Sequence, residues 1–213
     1  MKKIGVVGIP GGWSTLRLLD ALEARTGYRL CIDMAEVRLD LETGKAFYKD
    51  TDLTSLDGLI VKKIAPSYTP DALDRMEILR FLHSGGLPVF SNPDSMFRLI
   101  DRLSGTAVLR RGGIPMPPTT VTEDVSEAAA AVSDYGRAVF KPLYSSKARG
   151  MTVIEEGPDM HEEIADYQAA GNRVMYIQQM VSHAGGHHDL GVSFLGGKYL
   201  ATYARQGSGN SWD

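Results

Sequence analysis

The sequence predicts a two-part α/β protein, with a parallel, doubly wound layer through about residue 92 and an α+β part after it. Three observations carry that expectation. Short apolar runs alternate with amphipathic helical stretches from Ile4 to Phe90, the pattern of strands paired in parallel through helices. Ile114-Pro115-Met116-Pro117-Pro118 is a proline cluster of the kind that joins domains. Val139 to Ile154 then reads as strand, polar loop and strand, with Lys141 at the end of the first strand.

The composition narrows the class. With 213 residues, 43% hydrophobic and 23% charged, the chain has ample material for a core and an ordinary soluble balance. A formal net charge of −3 gives no overall attraction to nucleic acid or anionic lipid. One cysteine, Cys31, excludes an internal disulfide framework, and its apolar neighbours from Tyr28 to Ile32 read it as a buried small hydrophobe. No apolar run reaches transmembrane length, and Met1 to Gly8 enters a strand without a signal-peptide core, so the reading is cytoplasmic.

Ile4 to Val7 is the first strand, and Gly8-Ile9-Pro10-Gly11-Gly12 turns it into a helix from about Ser14 to Ala24, with Leu16, Leu19 and Leu22 on one face. The glycine turn invites a nicotinamide-dinucleotide reading. Pro10 removes a donor and the G-x-G-x-x-G spacing is absent, so a plain strand-to-helix turn is favoured. Val37 to Tyr48 is a hairpin turning at Glu42 to Lys45. Leu56 to Val61 is a strand ending in Lys62-Lys63, which could face a crevice at the sheet's carboxyl end or simply be solvated; solvation is favoured. Pro70 to His83 is a helix stopped by Gly85-Gly86, and Leu87 to Phe90 is a strand.

Asn92 caps the next helix with Pro93 in its first turn, and Met96, Leu99, Ile100 and Leu103 form its apolar stripe. A further helix spans Gly105 to Arg111. Past the prolines, Thr119 to Thr122 is a strand. Asp124 to Glu127 resembles a capping box at the head of an alanine-rich helix ending near Asp134. A helix from about Pro158 to Ala170 and a strand from Val174 to Gln179 follow. Asp189 to Phe194 and Lys198 to Arg205 form a hairpin through Gly196-Gly197. A lysine leaving a strand before a flexible polar loop suits a phosphate site, where loop N–H groups and hydroxyls close over the anion; an exposed lysine on a surface hairpin is the plain alternative. His183, His187 and His188 beside Asp189 invite a metal reading. Gly185-Gly186 prevents an i,i+4 helical pair and no cysteine is near, so a polar loop ranks above zinc.

Taken together, Pro93 to Arg102, Gly113 to Pro118, Phe140 to Gly150, Gln178 to Val181 and Asp189 to Arg205 resemble, in order and spacing, the ATP-grasp superfamily and its RimK-like amino-acid ligases. The resemblance implies a pre-ATP-grasp α/β domain over 1–92 and a helical linker over 93–117. It further implies an ATP-grasp N-subdomain over 118–181 and the start of a C-subdomain over 182–213. It assigns Arg102 and Lys141 to the nucleotide phosphates and Ser145, Ser146 and Gly150 to the mobile loop. Gln178, Gln179, Met180 and Val181 become the adenine hinge, offering a carbonyl and an N–H from a strand edge. Asp189 is placed near the ribose, and Arg205 faces the transferred phosphoryl group. Arg102 stands where the family has lysine, and Gly191 where it has arginine.

The implied reaction is ATP-dependent carboxylate–amine ligation through an acylphosphate, releasing ADP and phosphate. The implied partners are ATP, a small carboxylate and an amine (an amino acid or a protein C-terminus), with a homo-oligomer in prospect and no nucleic acid or membrane. Magnesium belongs to the reaction. Its ligands in the family come later in chain order, so none is assigned here, and the expectation is a chain truncated in its last subdomain. The rival reading is a non-catalytic ATP-binding module or partner subunit without metal ligands of its own.

Overall fold

The computed structural model describes residues 1–67, 69–145, 148–181 and 188–206, with the backbone alone at 188, 189, 205 and 206. The chain divides into two units, Met1–Ile114 and Pro115–Asp213. The first runs β1 (Ile4–Val7), α1 (Trp13–Thr26), β2 (Cys31–Ile32), β3 (Val37–Asp40), β4 (Lys45–Tyr48), β5 (Thr51–Asp52), β6 (Gly58–Val61), α2 (Asp71–Ser84), β7 (Val89–Phe90), α3 (Pro93–Ile100) and α4 (Arg102–Arg111).

Its parallel sheet has the order β2-β1-β6-β7, and β3-β4-β5 form a separate antiparallel sheet. Val6 and Val7 point to opposite faces and both are fully buried, as a parallel strand covered on both sides requires. Ile32, Tyr48, Leu53, Leu59, Met76 and Leu79 belong to the core. The glycine turn between β1 and α1 is a β-turn: the Gly12 N–H donates to the Ile9 carbonyl at 3.1 Å. Pro10 takes the second position and Gly11, at φ 74°, the third, as in a type II turn. Pro10 is therefore part of the turn chemistry rather than a defect in a dinucleotide motif.

Four expectations shift. Thr15 and Leu19 are the buried residues of α1, while Leu16 is 39% exposed, so Thr15 rather than Leu16 shares the inward face with Leu19. Leu99 is 71% exposed, whereas Met96, Phe97 and Ile100 pack on the core. The stripe breaks before Leu103 because Asp101 ends α3 and opens α4. Its carboxylate accepts the Leu103 and Ser104 N–H groups at 3.1 and 3.0 Å. That cap starts α4 at Arg102 instead of Gly105. Cys31 is half-buried rather than fully buried, and burial pushes its thiol pKa up, with Asp33 adding to the effect.

The second unit runs β8 (Thr119–Thr122), α5 (Val125–Tyr135), β9 (Arg137–Lys141), β10 (Thr152–Glu155), α6 (Met160–Ala169), β11 (Met175–Gln179), β12 (His188–Leu195) and β13 (Lys198–Gln206). Four strands pair in the antiparallel order β10-β9-β11-β8. Ala138, Phe140, Ile154, Met175 and Ile177 on this sheet share one core with Ala128 and Val132 of α5 and Ile164 and Tyr167 of α6. Asp124 caps α5, accepting the Ser126 and Glu127 N–H groups at 2.7 and 3.0 Å. β12 and β13 form their own antiparallel pair. Among the described residues no helix is long and apolar enough to cross a membrane.

Candidate functional site

Strand alternation builds the site. On β9, Ala138 and Phe140 enter the helix-covered core, which leaves Val139 and Lys141 on the other face. On β11, Met175 and Ile177 enter the core, leaving Tyr176 and Gln178 on the face of Lys141. The register sets Tyr176 opposite Lys141, Gln178 opposite Val139, and Thr119 of β8 opposite Gln178. Three polar side chains thus lie in a row across β9, β11 and β8.

They are hydrogen-bonded in sequence. The Lys141 ammonium donates to Gln178 Oε1 at 2.6 Å. Gln178 Nε2 donates to Thr119 Oγ1 at 2.9 Å and, more distantly, to the Tyr176 hydroxyl at 3.4 Å. Thr119 Oγ1 donates to the Pro117 carbonyl at 2.9 Å. Thr119 was absent from the sequence-derived site. The β8–β11 register brings it there, and no local motif around Thr119 signals that pairing.

The polar loop after Lys141 folds back on itself. The Ser145 hydroxyl donates to the Pro142 carbonyl at 3.3 Å, and the Met151 N–H donates to Ala148 O at 3.2 Å. A Cβ added at Gly150 would stand 3.1 Å from Pro142 Cγ, so this glycine admits a close approach. Ser146 lies outside the described residues, as do His183 and His187; only the backbone of His188 is described.

β11 is an inner strand, paired with β9 on one side and β8 on the other, so no open strand edge runs along Gln178 and Gln179. The Gln179 N–H donates to Pro118 O and the Met180 N–H to Arg137 O, both at 2.9 Å. The main chain leaves the ladder after Met180, at Val181, which is 50% exposed.

Asp189 and Arg205 are directly opposed in the β12–β13 register. Gly191 faces Tyr203 in the same pair, and a Cβ at Gly191 would overlap Tyr203 Cζ. The tyrosine ring therefore lies over the glycine. Arg102 stands in the first unit, in the first turn of α4, behind its Asp101 cap.

Among the described residues no three His, Cys, Asp or Glu side chains converge.

With this geometry in place, the fold is that of the ATP-grasp ligases, and the chain resembles their RimK-like branch. No family model matches it. It is 27% identical over its whole length to the tetrahydromethanopterin:alpha-L-glutamate ligase of Methanosarcina acetivorans, spanning 70% of that protein. Its fold is similar to the ATP-grasp RimK domain protein of Sphaerobacter thermophilus, with a TM-score of 0.68 at 20% identity, over 89% of this chain and 68% of the other. It is also similar to the ATP-grasp ligase PsnB, solved with a precursor variant, Mg and ADP. The TM-score there is 0.64 at 18% identity, over 90% of this chain and 67% of the other.

Proposed function

We propose that this chain binds ATP with its phosphates at the Lys141 end of β9 and serves the ligation of a carboxylate to an amine. The observation that carries the reading is the Lys141 ammonium, held 2.6 Å from Gln178 where the strand gives way to the 142–150 loop. A fixed cation at that point stabilises phosphate charge before and during transfer.

Arg102 and Arg205 add positive charge, and Ser145, Ser146 and Gly150 belong to a loop that closes over the phosphates and excludes water. The purine docks at the end of β11. The engaged N–H groups of Gln179 and Met180 leave Val181 to donate, while Met180 packs on the ring. Asp189 accepts a ribose hydroxyl. In this reading 1–92 is the pre-ATP-grasp domain, 93–117 the linker, 118–181 the N-subdomain and 182–213 the start of the C-subdomain.

The chemistry has two steps. A carboxylate oxygen attacks the γ-phosphorus, the bond from phosphorus to the bridging oxygen breaks, and ADP leaves. An amine nitrogen then attacks the acyl carbon, phosphate leaves, and the nitrogen loses its proton to solvent. Similarity to the methanogen ligase favours L-glutamate as the amine, with the carboxylate on a second small molecule. Incubation with MgATP, L-glutamate and a panel of carboxylates tests this by mass spectrometry of ADP and joined product. Hydroxylamine trapping should yield the hydroxamate of the carboxylate used. ATP binding with neither ADP release nor hydroxamate, for any carboxylate, would replace this reading with that of an ATP-binding module.

A further inference from the structure

We propose that Gln178 and Thr119 are positioning residues that hold the Lys141 ammonium for phosphate; the inference rests on the ATP-binding reading above. The resemblance gives the Gln178 main chain to the adenine hinge. Its side chain spans the gap between Lys141 on β9 and Thr119 on β8.

The direction of every bond in the row follows from chemistry. An ammonium can only donate, so Gln178 must present Oε1 to Lys141. Its Nε2 must then donate to Thr119 Oγ1. The threonine hydroxyl, its oxygen occupied as acceptor, donates in turn to Pro117 O. One oriented chain runs from the cation to a backbone carbonyl in the proline segment before β8. Reversing any member would break two bonds.

Two consequences follow. A long, flexible lysine is anchored at its charged end before nucleotide arrives, so less freedom is lost on binding. The anchor is also an amide, which adds no charge of its own beside the ammonium. A carboxylate of the same length would hold the ammonium equally well and oppose a phosphate. Thr119 acts only through Gln178, and Gln178 only through Lys141.

Titration of MgATP and of adenosine into the full chain tests this, comparing wild type with Lys141→Met, Thr119→Val, Thr119→Ser and Gln178→Glu. Thr119→Val is nearly isosteric and removes only the hydroxyl. It should weaken MgATP by about tenfold, the scale of a hydrogen bond to a charged group, and leave adenosine unchanged. Thr119→Ser should restore MgATP affinity. Gln178→Glu should weaken MgATP, and more strongly at low salt than at high salt. Equal affinity in Thr119→Val and wild type, or parallel loss of adenosine and MgATP, would overturn the positioning role. If Lys141→Met weakens MgATP while Thr119→Val does not, the inference fails and the nucleotide site stands. If Lys141→Met leaves MgATP unchanged, both fall.

Discussion

Phe140→Ala separates the core of the second unit from the site it supports. Phe140 is fully buried, next to Lys141 in sequence and on the opposite face of β9. Its ring meets Tyr167 edge-on, with centroids 5.2 Å apart and planes at 70°. Truncating a fully buried phenylalanine costs about 3–5 kcal/mol. The lost edge-to-face contact accounts for about 0.5–1.5 kcal/mol of that. Against a domain stability of about 5–15 kcal/mol, this is a large share.

Native-state hydrogen exchange read by mass spectrometry localises the effect. Amides of β9 and β11 should lose roughly two to four decades of protection, at 1.36 kcal/mol per decade. Those of β1 and β6 should not change, because they belong to a different core. Phe140→Leu keeps most of the volume and should lose far less. A change under tenfold in β9 and β11, or an equal loss in β1 and β6, would refute the assignment of Phe140 to a core of the second unit alone.

Two further outcomes follow from close contacts and from charge. Gly191→Ala should destabilise the β12–β13 pair by about 1–3 kcal/mol, because its methyl group overlaps the Tyr203 ring. Gly191→Ala combined with Tyr203→Ala should recover most of the loss in exchange protection over 188–206; no recovery would mean that the ring is not the obstacle. Asp57 is held below the usual carboxylate pKa, chiefly by the Lys3 N–H at 2.7 Å and then by the Lys2 ammonium at 3.0 Å. Its contribution to stability is therefore present above the ordinary carboxylate range and is lost as pH falls through the lowered folded value. Asp57→Asn should be less stable than wild type at neutral pH, and their denaturation curves should converge in acid; a gap that widens in acid would contradict the sign.

Much of this fold was legible because its signals are local. Asn92 and Asp124 act as caps where the sequence placed them, with Asn92 Oδ1 accepting the Ser95 N–H at 3.1 Å. The hairpin at Glu42 to Lys45 turns as its residues predict. The ends of α3 and α4 were less legible, because one aspartate both stops a helix and caps the next. At the site, Lys141 could be singled out from its strand and loop. Its partners could not, since Gln178 and Thr119 lie 37 and 22 positions away and meet it only through antiparallel register. Tyr203 over Gly191 is likewise a cross-strand fact, invisible in either strand alone.

The measurement that tests the central claim most directly is calorimetric titration of MgATP into the wild type and Lys141→Met. Methionine keeps the length and apolar stem of lysine and removes the charge. The account predicts binding by the wild type and a loss of at least about tenfold in the variant, the scale of a charge-assisted hydrogen bond. Equal MgATP affinity in the two proteins would contradict the placement of the phosphates at Lys141.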